Sequence, residues 1–576
     1  MGKILICSNN KKYEKLKKLL AVNFLKSYEH LENDFNLINY YKLRVKNENY
    51  YEEENNFIIG VGTYIYKNKI GKEALKLILK DYNSEFNKNK IIGSFAIGVM
   101  YSGKFSLFID AGNTYNIYYF LENNEIILSN TVYHIAYAKG ENEFDYDEIL
   151  SFAISCVHTD NESFCKNIFR LSNLQTLEWV NGKWSIINEK SIVHYELGEK
   201  DIWEQLVKKI GCLNNIFSKS GVFMTGGQDS RIYLALMLCL GLKPTLYYGK
   251  GNSLNTCTKE NDERAVKLIS EKLNLPLKFM NWTEPRDKND KINYINKYGE
   301  DYIIYNFNKN IFKEFEEKID TELITFGYCG EMYRNVETIT DFNKEIYTLN
   351  DYIDKLYIPP IVKDICIDYK KIRERIYNDL LEVCSYKEIN PFKMTKDDFI
   401  KLNSYYRSYS DMKMNNFSNI FFYSIPFLGD GEIINTLENI KYIEKINSKF
   451  LMEGINKLEP KLLEVPFFSH IKEKKFNKET FELLDRNMTG RYKDKVREMV
   501  KNEVILKILR ELYYFIIKDK KGRKELKEEF KEKEEYMNKI SEIKWIPKRS
   551  IKYLKKVENR SLETIYLYNE IFNNLK

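Results

Sequence analysis

The chain has 576 residues, of which 44% are apolar, and its 90 Lys and Arg against 83 Asp and Glu leave a net charge of +7. That length exceeds what one hydrophobic core usually serves, so two or three domains are expected, each able to bury a core. The small basic excess accompanies heavy use of Lys, Asn and Ile, the bias of an AT-rich genome, so nucleic-acid binding is not implied.

The start is strand-like. Short β-branched and aromatic runs fill the first 190 or so residues: Lys3 to Cys7, Asn56 to Tyr66, Ile91 to Met100, Lys104 to Asp110, Asn116 to Leu121, Glu125 to Ser129 and Trp184 to Ile187. Ser102-Gly103, Asn123-Asn124 and Asn181-Gly182 are turn signals between them, and two packed sheets with a few helices are predicted.

From Asp201 the texture changes. Amphipathic stretches at Ile202 to Ile216, Arg231 to Cys239 and Glu260 to Leu273 alternate with compact apolar runs at Gly221 to Met224, Pro244 to Tyr248 and Leu277 to Met280. That alternation predicts βαβ units and a parallel sheet. From about Lys472 onward, Lys and Glu with apolar residues at helical spacing, such as Val504 to Ile517, predict a helical extension packed on this second domain; Lys518 to Lys533 reads as a solvated charged segment.

The segment from Gly221 to Arg231, Gly-Val-Phe-Met-Thr-Gly-Gly-Gln-Asp-Ser-Arg, is an apolar strand, a glycine turn and a helix start. Gly226 and Gly227 let the backbone approach a ligand and turn its N–H groups inward, and the helix N-terminus behind them adds positive dipole. Thr225 and Ser230 add hydroxyls, and Asp229 is the hard oxygen ligand that a magnesium ion bridging phosphates prefers. Polyphosphate is the expected guest. The P-loop pattern and the GxGxxG dinucleotide fingerprint are absent.

These residues resemble the SGGxDS loop of the ATP-pyrophosphatases, with Thr225 in place of the first Ser. Four further stretches follow in the order of the asparagine synthetase family. They are Pro244 to Gly249 with the acidic-headed helix at Asp262, Glu263 and Ala265; Leu323 to Arg334, similar to a strand plus GxGxDExFGG; Asp411 to Met414 with Ser424 to Asp430; and Ser448 to Leu451 with Leu458 to Pro460. More faintly, Gly93 to Gly98, Phe105 to Asp110 and Tyr118-Tyr119 are similar to the family's glutaminase-like domain.

The resemblance implies an αββα glutaminase-like sandwich over 1–195, a parallel-sheet ATP-pyrophosphatase domain over 196–475 and the helical extension over 476–576. It implies ATP and Mg²⁺ as cofactors, bound by Thr225, Gly226, Gly227, Asp229 and Ser230. Gly249 is expected at the adenine strand, and Asp229 and Glu331 at the metal. Glu331, Arg231 and Lys449 are the expected catalytic residues, with Arg334 as a second spare cation. The family's glutaminase needs a cysteine at position 2, where this chain has Gly2, and Cys7 reads as core. Where the family's RxK follows its LP segment, this chain reads Val465-Pro-Phe-Phe-Ser469, with Lys472, Lys474 and Lys475 nearby. Gly330 stands at an expected acidic position.

The activity implied is therefore an ATP-dependent amide-forming ligase that adenylates a small-molecule or peptide carboxylate and passes it to an amine without hydrolysing glutamine, as in β-lactam synthetases and lasso peptide cyclases. The alternatives are a catalytically reduced nucleotide-binding or interaction protein, amidation of a saccharide, and asparagine synthesis from ammonia. A thiolating relative would need paired cysteines, whereas the nine cysteines here show no CxxC and no paired spacing, which also argues against zinc and disulfides. The apolar start is too short for a signal peptide and no uncharged run approaches about 18 residues, so no membrane partner and a cytoplasmic location are expected. A partner protein or a homodimer is compatible with the sequence. The five histidines, His30, His134, His158, His194 and His470, show no ligand spacing, and the aromatic cluster at Tyr405, Tyr406, Tyr409, Phe417, Phe421, Phe422 and Tyr423 reads as core.

Overall fold

A computed structural model describes residues 2–575 apart from 32–33, 46, 84–85, 156–160, 189–200, 251–255, 282–289, 300–310, 335–345, 359, 411, 439, 470–471 and 486–519. It is a mixed α/β protein with antiparallel sheets, one parallel sheet and many helices.

The N-terminal region carries two antiparallel sheets. One runs in the spatial order Phe169–Arg170, Tyr118–Glu122, Glu125–Ser129, Ile4–Cys7, Asn36–Tyr40, Lys26–Leu31; the other runs Lys183–Asn188, Gln175–Val180, Lys104–Ile109, Ile92–Tyr101, Asn56–Tyr66, Tyr50–Glu53. Strand alternation decides which side chain meets which layer. Ile4 and Ile6 join Leu37, Ile126 and Leu128 in a core shared with Val61, Ile97, Val99, Leu107 and Ile109 of the second sheet. Leu5 and Cys7 point the other way, onto Tyr13, Leu16 and Leu20 of the Asn10–Ala21 helix and Ile135 and Ala136 of the Val132–Lys139 helix. Each such side chain, withdrawn fully from water, contributes on the order of 2 kcal/mol. The predicted runs are strands here, and Lys26–Leu31, Asn36–Tyr40, Tyr50–Glu53 and Gln175–Val180 join them as strands not anticipated.

The parallel sheet has the order Leu277–Asn281, Thr245–Lys250, Ser220–Phe223, Leu323–Thr325, Tyr423–Ser424. The first strand in sequence is central; the next two are laid down on one side of it and the last two on the other. The connections diverge between Ser220–Phe223 and Leu323–Thr325, the switch point outside whose carboxyl ends folds of this kind take their ligands.

The two regions are joined by polar contacts. Lys42 Nζ donates to the Asn419 carbonyl and side-chain oxygen (2.6 and 3.1 Å), Thr63 Oγ1 donates to Asn419 Oδ1 (2.6 Å), and the Ser424 amide donates to Thr63 Oγ1 (2.9 Å). Asn416 bridges similarly to Thr114 O and the Asn116 amide (2.9 Å each).

Three expectations change. The predicted helix Ile202 to Ile216 is two helices, Ile202–Ile210 and Leu213–Ile216, divided at Gly211-Cys212. Lys472–Asn477 and Glu482–Asp485, placed at the start of a helical extension, are strands of a small antiparallel sheet with Phe467–Ser469, because pairing to Phe467–Ser469, burial of Leu483 and partial burial of Phe476 and Phe481 override local helical preference. The last helix, Asn559–Leu575, packs on the N-terminal region as well as the second: Phe572 stacks on Phe144 at 4.0 Å and Tyr568 meets Phe164 at 5.0 Å, while Leu562 and Ile565 sit with Tyr352 and Leu380. Val504 to Ile517 lies outside the described residues.

Candidate functional site

The glycine turn leaves the central strand at its carboxyl end and enters the Gln228–Cys239 helix, whose cap is Gly227 with no capping side chain. A helix start capped by glycine offers its first-turn amides without a side chain over them. The turn is braced from within: the Thr225 amide donates to Ser230 Oγ (3.1 Å), the Thr225 and Ser230 hydroxyls lie 3.2 Å apart, and the Gly227 amide donates to Thr225 Oγ1 (3.2 Å). The Gly226 amide donates to Asp262 Oδ1 (3.0 Å), so the turn already holds one anionic oxygen.

The second loop, 326–334, follows Leu323–Thr325 and lies flush against the same helix start. A Cβ at Gly327 would stand 2.7 Å from the Asp229 carbonyl carbon and the Ser230 nitrogen; one at Gly330 would stand 2.6 Å from Asp229 Cβ, Cγ and Oδ1. Glycine at 330 is thus the residue type that leaves Asp229 its place. Cys329 beside it is buried in a left-handed conformation (φ 61°). Tyr233 ties the helix to both neighbouring turns, donating to Tyr328 O (2.8 Å) and accepting from the Leu428 amide (3.3 Å).

Asp229 and Arg334 form a fork: Nε to Oδ1 and Nη2 to Oδ2, both 3.1 Å, with Glu331 Oε1 3.7 Å from Nη2. Asp229 and Glu331 are therefore brought together as expected, but around a guanidinium. Among the described residues no group of three or more His, Cys, Asp or Glu is gathered for a metal ion. The donor set as it stands fits an arginine cation rather than a protein-bound Mg²⁺, which prefers several oxygens at octahedral positions.

Arg231 is not brought to the open face. It is fully buried beneath the turn, donating to the carbonyls of Leu462 (3.0 Å), Val465 (2.6 Å), Gly226 (3.2 Å) and Pro466. Burial lowers its pKa to about 9, opposed by the charge of Asp262, so it stays a cation at neutral pH. Its role is to pin the 462–466 segment, after which the Phe468 amide donates to Gly226 O (3.0 Å) and the strand crosses over the turn. Lys472, Lys474 and Lys475 belong to the strand paired with that crossing one, Lys474 opposite Phe467.

Lys449 is not drawn into the turn either: it opens the Lys449–Leu458 helix, half-exposed, 4.0 Å from Glu453. Gly249 lies on Thr245–Lys250 beside Met280. Asp262, Glu263 and Ala265 do not open a helix as expected: the helix runs Thr256–Leu273 with no acidic residue in its first turn, and Glu263 within it pairs with Lys267 (2.7 Å), which lowers its pKa, while Ala265 is buried.

At the N-terminus, the Gly2 amide donates to Tyr40 O (3.1 Å), and a Cβ there would stand 2.6 Å from the Tyr41 carbonyl oxygen. Cys7 is a buried thiol pushed up to about 12 by burial. His30 packs on Phe57 (4.6 Å), and His134 is buried with Nε2 3.1 Å from the Asn296 carbonyl, pushed down to about 3 by burial. His158, His194 and His470 lie outside the described residues, as do Asp411 and the side chains of Tyr405, Tyr406 and Tyr409. Phe417, Phe421, Phe422 and Tyr423 are buried core.

The sequence singled out neither Asp262 as the partner of the Gly226 amide nor Phe468 and Tyr233 as braces. Their roles depend on residues far away in the chain, and no local pattern marks them.

Comparison with models of known protein families and with curated proteins returns no match. No described helix is long and apolar enough to cross a membrane, and the described cysteines are free thiols.

Proposed function

We propose that the crevice between the Thr225–Ser230 turn and the 326–334 loop binds the phosphates of ATP, and that the chain is an ATP-dependent carbon–nitrogen ligase of the asparagine synthetase type. The observation that carries this reading is convergence: a glycine turn, an uncapped helix start and a second glycine loop meet at the switch point of a parallel sheet, where such folds take their ligands. The Asp262 oxygen on the Gly226 amide supports the preference for anions.

In the proposed reaction a carboxylate oxygen of the substrate attacks the α-phosphorus. The bond to the β-phosphate bridging oxygen breaks and pyrophosphate leaves. An amine then attacks the acyl carbon, loses a proton to a base, and AMP departs. The first-turn amides of the Gln228–Cys239 helix and Arg334 would hold the departing pyrophosphate, and Glu331 would accept the amine proton. Gly2, with no space for a side chain, supports an amine supplied directly rather than by glutamine hydrolysis. The substrate is a small-molecule or peptide carboxylate. The glutaminase-like sandwich and the ATP-pyrophosphatase assignment of the parallel-sheet domain belong to the same proposal, as does a reducing, cytoplasmic setting.

A second reading, a nucleotide-binding protein with reduced catalysis, is favoured by one observation: Asp229, the expected metal ligand, is engaged by Arg334. Pyrophosphate release from Mg·ATP against pooled carboxylates and amines separates the two. Release by the native chain that Asp229→Ala abolishes supports the ligase; ATP binding without release supports the second reading; absence of ATP binding ends both.

A further inference from the structure

We infer that the guanidinium of Arg334 is the resident cation of this crevice, taking the place of a protein-bound divalent ion and meeting phosphate oxygens directly. The inference rests on the ATP reading above and names the group that recognises the phosphates.

Geometry carries it. One planar cation is forked onto both oxygens of Asp229 at 3.1 Å and lies 3.7 Å from Glu331, so it spans the two carboxylates expected to hold a metal. The third position such a site would draw on is closed: a side chain at Gly330 would begin 2.6 Å from Asp229 Cβ, Cγ and Oδ1. The crevice therefore cannot gain an acidic ligand there while Asp229 keeps its place. Arg334 is not sealed in, since a quarter of its side chain is exposed (25%), much like Asp229 (21%) and Glu331 (27%). A guanidinium offers phosphate the same two-pronged geometry that it offers carboxylate, so exchanging the Asp229 fork for phosphate oxygens costs no change of shape. Asp229 is then a positioning residue, holding Arg334 at the helix start until phosphate arrives. Magnesium enters as part of the substrate, held by the nucleotide's phosphates and by water.

The test is equilibrium binding of ATP by the full chain in EDTA and in magnesium, with Mn²⁺ binding followed by electron paramagnetic resonance. The native protein is expected to bind ATP comparably in both buffers and to bind no Mn²⁺ without nucleotide. Arg334→Met is expected to lose about tenfold or more in EDTA, with Arg334→Lys between, because a point charge keeps attraction but not the fork. Native binding that disappears in EDTA, or a nucleotide-free Mn²⁺ complex of the native protein, overturns the inference and leaves the ATP reading standing. No ATP binding in either buffer removes both. These native-protein measurements decide the matter even if Arg334→Met does not fold.

Discussion

The guanidinium carbon of Arg231 lies 3.8 Å from the centre of the Phe467 ring, while Nη1 donates to the carbonyls of Leu462 and Val465 just before it. The first turn of the helix behind the glycine turn thus fastens the strand that crosses above it, and the loop and its cover form one unit. Arg231→Lys keeps the charge but not the fork, leaving buried carbonyls of 462–466 short of donors. A loss of about 3 kcal/mol in urea unfolding is expected. A loss well under 1 kcal/mol would show that water or neighbouring donors replace it.

Gly330→Ala places a methyl against Asp229 where no space exists. Either the 326–334 loop lifts or the fork to Arg334 opens, so a destabilisation of about 1–3 kcal/mol and weaker ATP binding are expected together. Calorimetry of unfolding and ATP titration on the same sample check it; unchanged values for both would contradict the packing described.

Lys42 gives a pH signature. It is buried between the Asn419 oxygens and the Tyr423 ring (5.2 Å), and burial lowers its pKa to about 7; Tyr423 itself is pushed up to about 12 and stays neutral there. Above pH 7 the unfolded chain still holds the lysine proton and the folded chain releases it, so folding is increasingly favoured as pH rises from about 7 to about 10. The gain is at most about 1.4 kcal/mol per pH unit. Lys42→Met is expected to flatten that rise relative to the native chain in denaturant melts at pH 7, 8 and 9. Parallel pH curves for the two proteins would assign the effect elsewhere.

Gly2→Cys is expected to produce no glutamine hydrolysis. The added Cβ meets the Tyr41 carbonyl at 2.6 Å and the Phe24 ring at 3.1 Å, so the strand end must shift and stability falls by about 1–3 kcal/mol. Glutamate release from glutamine by the variant would refute this.

Local pattern was enough for much of the framework. Apolar runs of strand length, the glycine pair at 226–227 and the apolar spacing of 231–239 encode strand, turn and helix within a single stretch of chain, because each depends on neighbours a few residues away. The alternation after Asp201 likewise implied a parallel sheet, and the sheet is there. What each side chain of the turn does was not legible. Arg231 turns inward to carbonyls of 462–466, Arg334 arrives on Asp229 from a separate strand's loop, and Asp262 takes the Gly226 amide from another helix. The strands at 472–485 exist because Phe467–Ser469 is there to pair with them. Residues distant in the chain meet only once the sheet is assembled, so these pairings, and with them the charge of the crevice, were set by packing rather than by any nearby motif.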